Sequence, residues 1–345
     1  MRKSLIPEKL IGQFFGVGSV GEKDPQSAAD YIRKLPLPYW YQITSFPEED
    51  MIRQFGYLID GFEEDGDFIL DIDLHEYQRI TSSHQSQLPD MDHAHGLYIL
   101  DDGTRFDFFK TQQTAPITMC YSIRSSDGKQ QLSKSMFYLY TKLMRSIAIG
   151  QNEFLRKFCD EIILCQDDPA LGLVKEKKHQ NELPDLDLRN IMKMTEAIYP
   201  NDVIPAYHYC DDWTNLIDDG HHLLWESAPK IAHIDLVSYP PHIDSEQAEK
   251  LNRFLESGGG LAMGLLPNID DGYSDSIVNT LKKSLITNLD LFRKSGVSLD
   301  LISDHSMIST QCGLSRASEK LTREIHEQCI NTQEIFTTII KNATR

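Results

Sequence analysis

The sequence predicts an α/β fold: a single (β/α)8 barrel of the TIM type spanning residues 1–345, with a β-hairpin insertion at 61–105. Three observations predict it. Short β-rich runs recur eight times along the chain, and a longer amphipathic segment follows each of them. Parallel neighbours need a crossover of about a dozen residues or more, which those segments supply. A doubly wound open sheet would have fewer strands and often a phosphate-binding glycine loop after the first, and VGSVG (17–21) lacks the spacing of a dinucleotide fingerprint.

Taken in order, FFGVGS (14–19) leads into DPQSAADYIRKL, whose Asp-Pro opening suits a helix N-terminus. YWYQI (39–43) leads into PEEDMIRQFGYLI. The stretch 61–105 then breaks the rhythm. Asp65-Gly66 and Asp102-Gly103 are turn pairs between alternating arms such as LYIL and TRFDFF, and the polar tract SSHQSQLPDMDHAHG (82–96) reads as a loop, so the insertion is expected over one barrel mouth. The alternation resumes with FDFFKTQQTAPITM (106–119) and a long helix from about Ser133 to Asp160. EIILCQ (161–166) precedes a helix over Leu188–Tyr199, VIPAYHY (203–209) one over Trp213–Ser227, and IAHIDLVSY (231–239) one over Ser245–Ser257. GLAMGLLPN (260–268) and SMISTQC (306–312) are paired with helices over Ser274–Lys294 and Ser315–Thr338. GGGLAMG (258–264) places its glycines before the strand, as a tight helix-to-strand turn does.

Composition narrows the function. Forty per cent hydrophobic residues in 345 supply a large core. A formal charge of −18, with no basic stripe interleaved with aromatics, argues against nucleic acid. Pro7, Glu8 and Lys9 interrupt any signal-peptide core, and no uncharged stretch is long enough to span a bilayer, so a cytoplasmic chain without membrane contact is expected. Six cysteines in so long a chain do not make a disulfide framework, and most are expected to be buried thiols.

In a barrel of this type the strand C-terminal ends build the site. The polar residues there are Gly18 and Ser19, Gln42, Gln112, Asp167 and Asp168, His208 with Cys210, Ser238, and Cys312. His208 and Cys210 stand at i and i+2 of a strand end and point the same way, so one ion is within reach of both. Cys312 ends the eighth strand and precedes a helix whose N-terminal amides would favour a thiolate. Zinc suits imidazole with thiolate, although His-x-Cys also arises by chance and a distant cysteine is more often core. His84, His93, His95, His221 and His222 read as solvated surface groups without a role, and one of Asp211 and Asp212 as a helix cap. The two carboxylates of QDDPAL (166–171) suit an ammonium group or a general acid, or else a solvated turn.

Five segments in order, Val17-Gly18-Ser19, Thr114 to Thr118 (TAPIT), Gln166 to Leu171 (QDDPAL), His208-x-Cys210 and Cys312-Gly313-Leu314, resemble the catalytic half of cobalamin-independent methionine synthase. The likeness extends to its barrel relatives in the uroporphyrinogen decarboxylase superfamily, including methylcobamide:coenzyme M methyltransferases, and covers nearly the whole chain. It implies a zinc-dependent methyltransferase acting on a thiol such as homocysteine, with His208, Cys210 and Cys312 holding Zn2+. Asp167 would take the substrate amino group, Gly18 and Ser19 its carboxylate, and Gln112 would position the donor. The methionine synthases carry a glutamate as fourth ligand at the position that aligns with Ser238 here, which leaves Asp235 or His233 as substitutes, or an open position. The methyl group is expected from a methylcorrinoid or folate-type donor, and with one barrel a methylcorrinoid protein is an expected partner. The alternatives are an accessory barrel of a methyl-transfer complex that has lost turnover, and a metal-free lyase or decarboxylase of the same fold.

Overall fold

Seven of the eight predicted strands assemble into one parallel sheet in a computed structural model that describes residues 3–83, 85–183 and 185–344. In chain order they are β1 (Phe14–Phe15), β2 (Phe106–Thr114), β3 (Cys159–Asp167), β4 (Ile204–Tyr209), β5 (Ile231–Asp235), β6 (Gly260–Leu266) and β7 (Ser306–Thr310). The sheet order is β1-β7-β6-β5-β4-β3-β2, a curled half-barrel with β1 and β2 at its two edges. Val-, Ile- and Leu-rich runs buried on both faces are what parallel strands require.

The barrel is not closed by a continuous ladder, and this corrects the closed eight-stranded expectation. The segment expected as the second strand crosses the gap between β1 and β2 with short contacts alone. Tyr39 makes a single parallel bridge to Lys110, and Gln42–Ile43 pairs with Ser19–Val20 over two residues. In the sequence LPLPYW that leads into this segment, Pro36 and Pro38 carry no amide proton, so the ladder cannot be extended by donation from those positions.

Helices cover the convex face, among them Pro25–Ile32, Lys134–Leu155, Leu188–Glu196, Ser245–Glu256 and Ile277–Ser295. Side chains satisfy their first-turn amides at Asp24, Ser133, Asp187, Asp244 and Ser276, as the sequence suggested for these starts. The predicted helix over Trp213–Ser227 is replaced by a 3-10 turn at Trp213–Asn215 and a two-residue hairpin, Ile217–Asp218 with His221–His222. The last predicted helix is two, Glu319–Gln328 and Thr332–Ala343. In the insertion the hairpin at Asp65-Gly66 is present, joining Phe62–Asp65 to Asp67–Leu70. The LYIL segment is instead part of helix His95–Ile99, so no hairpin forms at Asp102-Gly103. His84 lies outside the described residues. No described helix is long and apolar enough to cross a membrane.

Two apolar clusters frame the site. The larger lies between sheet and helices. The smaller fills the concave face with Phe15, Phe108, Ile163, Ala206, Ile231 and Met307, and Ile6 and Leu10 close it from below. Continuing four of these strands by two residues from this floor replaces apolar with polar side chains: Lys110 after Phe108, His208 after Ala206, His233 after Ile231, Ser309 after Met307.

Candidate metal centre

At the C-terminal end of the sheet the polar layer meets a cleft of about 840 Å³, and Gly18, Ser19, Asp167, His208, Cys210 and Cys312 lie in its wall. The loop from Thr44 to Arg53 lines the cleft as well. Within this wall the ligand atoms of His208, Cys210 and Cys312 all stand within 4.8 Å of one another. His208 is the penultimate residue of β4, Cys210 follows that strand, and Cys312 follows β7, so three side chains from two strand ends over a hundred residues apart in sequence converge.

The distances suit an ion. Cys312 Sγ lies 3.7 Å from His208 Nε2. Bonds of about 2.3 Å to sulfur and about 2.05 Å to nitrogen at a tetrahedral angle place those atoms about 3.6 Å apart. The electrostatics agree. The neighbouring Cys210 thiol holds the Cys312 thiol well below its ordinary value against the opposing effect of burial, and His208 adds to the lowering. Cys312 in turn, with burial, pushes Cys210 up. Burial would lower His208, but its contact with Cys312 and the charge there raise it. The expectation that a helix N-terminus serves Cys312 is corrected: the next helix begins only at Glu319 and is capped by Ser318, and the amide that reaches the sulfur is that of Gly313.

Asp167 faces the same cleft. Its Oδ1 is buried without a hydrogen-bond partner. Burial raises its carboxyl, while Lys110 and His208 draw it back down. Ser19 packs its Oγ only 2.2 Å from where a Cβ at residue 313 would sit, so a glycine is required there for the two walls to approach this closely. The Ser19 carbonyl also accepts from the Leu314 amide at 2.9 Å.

Two of the expected substrate-contacting residues lie behind the wall. Gln112 is fully buried, donating from Nε2 to the Trp40 carbonyl at 2.6 Å and accepting at Oε1 from Lys110 Nζ at 2.8 Å. Asp168 is fully buried, accepting from Thr118 Oγ1 at 2.6 Å and from the Tyr207 hydroxyl. Thr118 Oγ1 in turn accepts from the Ala170 amide at 3.1 Å, so the TAPIT and QDDPAL segments lock each other in place.

Of the residues considered for the fourth ligand position, His233 turns both ring nitrogens away from the cysteines. Its Nδ1 lies 2.7 Å from His208 Nδ1, and its Nε2 2.8 Å from the Thr310 carbonyl. Asp235 Oδ1 accepts from the Val237 and Ser238 amides at 2.8 and 2.9 Å. Ser238 Oγ accepts from Gln311 Nε2 at 3.3 Å. His222, His95 and His93 stay apart from the site. His222 is buried rather than solvated and donates from Nε2 to the Trp213 carbonyl, while His95 and His93 bond to Glu49 and Asp90. Asp212 does cap the Trp213 turn.

Sequence reasoning missed Lys110, and it named His233 only as a substitute fourth ligand. Lys110 is fully buried beneath the site, donating to the Val17 carbonyl and to Gln112, with its ammonium 5.2 Å from the Phe15 ring centre. Its signal was a lone cation inside FDFFKTQQT, in phase with the inward-facing Phe108.

No family model and no curated protein matches the chain. Among solved structures, a Listeria monocytogenes protein provisionally named a vitamin-B12-independent methionine synthase aligns at 12% identity and a TM-score of 0.48, covering 98% of this chain and 99% of its own. A methyltransferase from Methanosarcina mazei aligns at 10% identity and a TM-score of 0.40, covering 97% of this chain and 100% of its own.

Proposed function

We propose that the chain is a zinc-dependent methyltransferase that methylates a small thiol, of which an amino-acid thiol such as homocysteine is the expected class. The observation that carries this is the convergence of one imidazole and two thiols at the strand ends, with no fourth donor joining the cluster among the described residues. Two cysteinates and a neutral histidine leave one tetrahedral position for a substrate atom. A zinc ion held by His208, Cys210 and Cys312 would deprotonate the incoming thiol and present its sulfur as the nucleophile.

The remaining roles belong to the chain. Asp167, with an unpartnered buried oxygen in the cleft wall, receives the substrate ammonium. Gly18 and Ser19 take its carboxylate, an arrangement supported by their position across from Cys312. Gln112 and Asp168 act from behind: Gln112 braces the Trp40 and Lys110 positions, and Asp168 fixes the turn that aims Asp167. In the reaction a carbon–sulfur bond forms as the donor–methyl bond breaks, and the donor atom keeps that electron pair. The cleft of about 840 Å³ has room for a donor group beside the thiol, such as one presented by a methylcorrinoid protein.

Metal analysis of the purified protein tests this. About one zinc per chain is expected in the wild type and a strong loss in Cys210→Ala and Cys312→Ala, together with methyl transfer from methylcobalamin to homocysteine that chelation abolishes. A folded, metal-free wild type, or transfer that survives complete chelation, overturns the reading.

A further inference from the structure

Behind the three donors lies a directional hydrogen-bond chain that runs through the barrel wall. Ser309 Oγ donates to the Phe15 carbonyl at 2.6 Å, so toward His233 it is left with lone pairs. His233 Nε2 stands 2.8 Å from the Thr310 carbonyl and 3.1 Å from that Ser309 oxygen. A carbonyl only accepts, so Nε2 of His233 carries the proton and shares it between the two oxygens. The opposite nitrogen, His233 Nδ1, faces His208 Nδ1 at 2.7 Å. Two nitrogens at this distance need one donor and one acceptor. His233 is fully buried, stacks on Phe15 with ring centres 6.2 Å apart, and has no carboxylate among its hydrogen-bond partners, so the neutral ring with a free Nδ1 lone pair is the form this site accommodates.

From this chain we infer that His233 is a positioning residue: it accepts the Nδ1 proton of His208, fixes the His208 tautomer, and leaves the His208 Nε2 lone pair aimed at the space shared with Cys210 and Cys312. The register supports this, since His233 and His208 are direct cross-strand partners on β5 and β4. Metal-binding histidines generally need their second nitrogen held in this way, and loss of the holding group typically costs about 10–100-fold in metal affinity. In this chain the holding group is another imidazole, itself oriented by a backbone carbonyl of β7, the strand that leads to Cys312. The inference rests on the metal reading of the site and concerns a residue outside the ligand set.

The test uses the full-length protein, its zinc affinity measured by competition with a chromophoric chelator, and the visible spectrum of its cobalt(II) form. His233→Leu is expected to weaken zinc by about 10–100-fold and to alter the cobalt spectrum. His233→Asn, whose side-chain oxygen takes the place of Nδ1, is expected to recover most of that affinity. Should His233→Leu fold poorly, nitrogen-15 histidine spectra of the zinc-loaded wild type decide instead, with His233 protonated at Nε2 and His208 at Nδ1. An unchanged affinity and cobalt spectrum in folded His233→Leu, or His233 protonated at Nδ1 in the zinc-loaded protein, overturns the inference while the metal reading stands. A wild type that binds neither zinc nor cobalt removes the metal reading itself.

Discussion

Asp168 offers a prediction whose sign and size follow from its surroundings. Its carboxyl is pushed up to about 6 from an ordinary 3.8, chiefly by burial, with the hydrogen bonds from Thr118 and Tyr207 limiting the rise. A raised folded-state value means that the folded protein holds the proton more tightly than the unfolded chain does. The unfolded chain therefore binds fewer protons between about pH 4 and 6, and stability falls as pH rises through that window. A shift of about two units corresponds to about 3 kcal/mol once the carboxylate is fully ionised. Over the experimentally convenient interval from about pH 5 to about pH 7.5, the part still to be lost is about 1.4 kcal/mol.

Asp168→Asn removes the titration and keeps the shape. The amide oxygen can accept from Thr118, and the Tyr207 hydroxyl can turn to accept from the amide nitrogen. Urea unfolding of both proteins, metal-free and at the two pH values, gives the quantity needed. The variant's stability relative to the wild type should increase by about 1.4 kcal/mol between about pH 5 and about pH 7.5. Any pH-independent cost of the amide cancels in this double difference. A difference of zero or of opposite sign would show that Thr118 and Tyr207 stabilise the carboxylate enough to outweigh burial, and would refute the reasoning.

Two further outcomes are expected. Asp167→Asn should raise KM by about 10-fold or more for a thiol substrate carrying an ammonium group, through loss of a charge-assisted hydrogen bond, and should leave a thiol without an amine nearly unchanged; equal effects on both substrates would remove Asp167 from amine recognition. Tyr39→Phe should cost about 1–3 kcal/mol of stability in urea, because its hydroxyl, 2.6 Å away, donates to the buried His326 Nε2, whose other nitrogen is committed to the Thr322 carbonyl. A neutral Tyr39→Phe would mean that His326 finds another partner.

The sequence made the strands legible because each lies between two apolar layers and reads as an almost unbroken hydrophobic run. The helix over Trp213–Ser227 failed for a local reason. Trp213, Leu216, Ile217, Leu224 and Trp225 imitate a helical spacing, but Asp219 and Gly220 both take positive φ, at 49° and 78°, and turn the chain into a hairpin between them. His208, Cys210 and Cys312 were legible because short-range spacing and strand ends suffice to place them at one mouth. His233 was not, since its function follows from a cross-strand register with His208 that no single stretch of sequence encodes. Asp168 was misassigned for a related reason: its neighbour Asp167 faces the cleft, and alternation along a strand sends the adjacent residue to the opposite face.

The break in the barrel ladder bears on the site as well. A full-length strand at 39–43 would hold the chain after β1 straight along its neighbour. With Pro36 and Pro38 limiting that pairing, β1 ends at Phe15, and the chain bends before it resumes at Ser19. The bend has three anchors: Lys110 donates to the Val17 carbonyl, Gln42 donates its amide to the Gly18 carbonyl at 3.2 Å, and Ser19 packs on Gly313. Those anchors belong to β2, to the gap-crossing segment and to the chain after Cys312. The interruption that leaves the sheet open therefore sets Gly18 and Ser19 beside Cys312, where a substrate carboxylate would lie if the thiol sits between the two cysteines and His208.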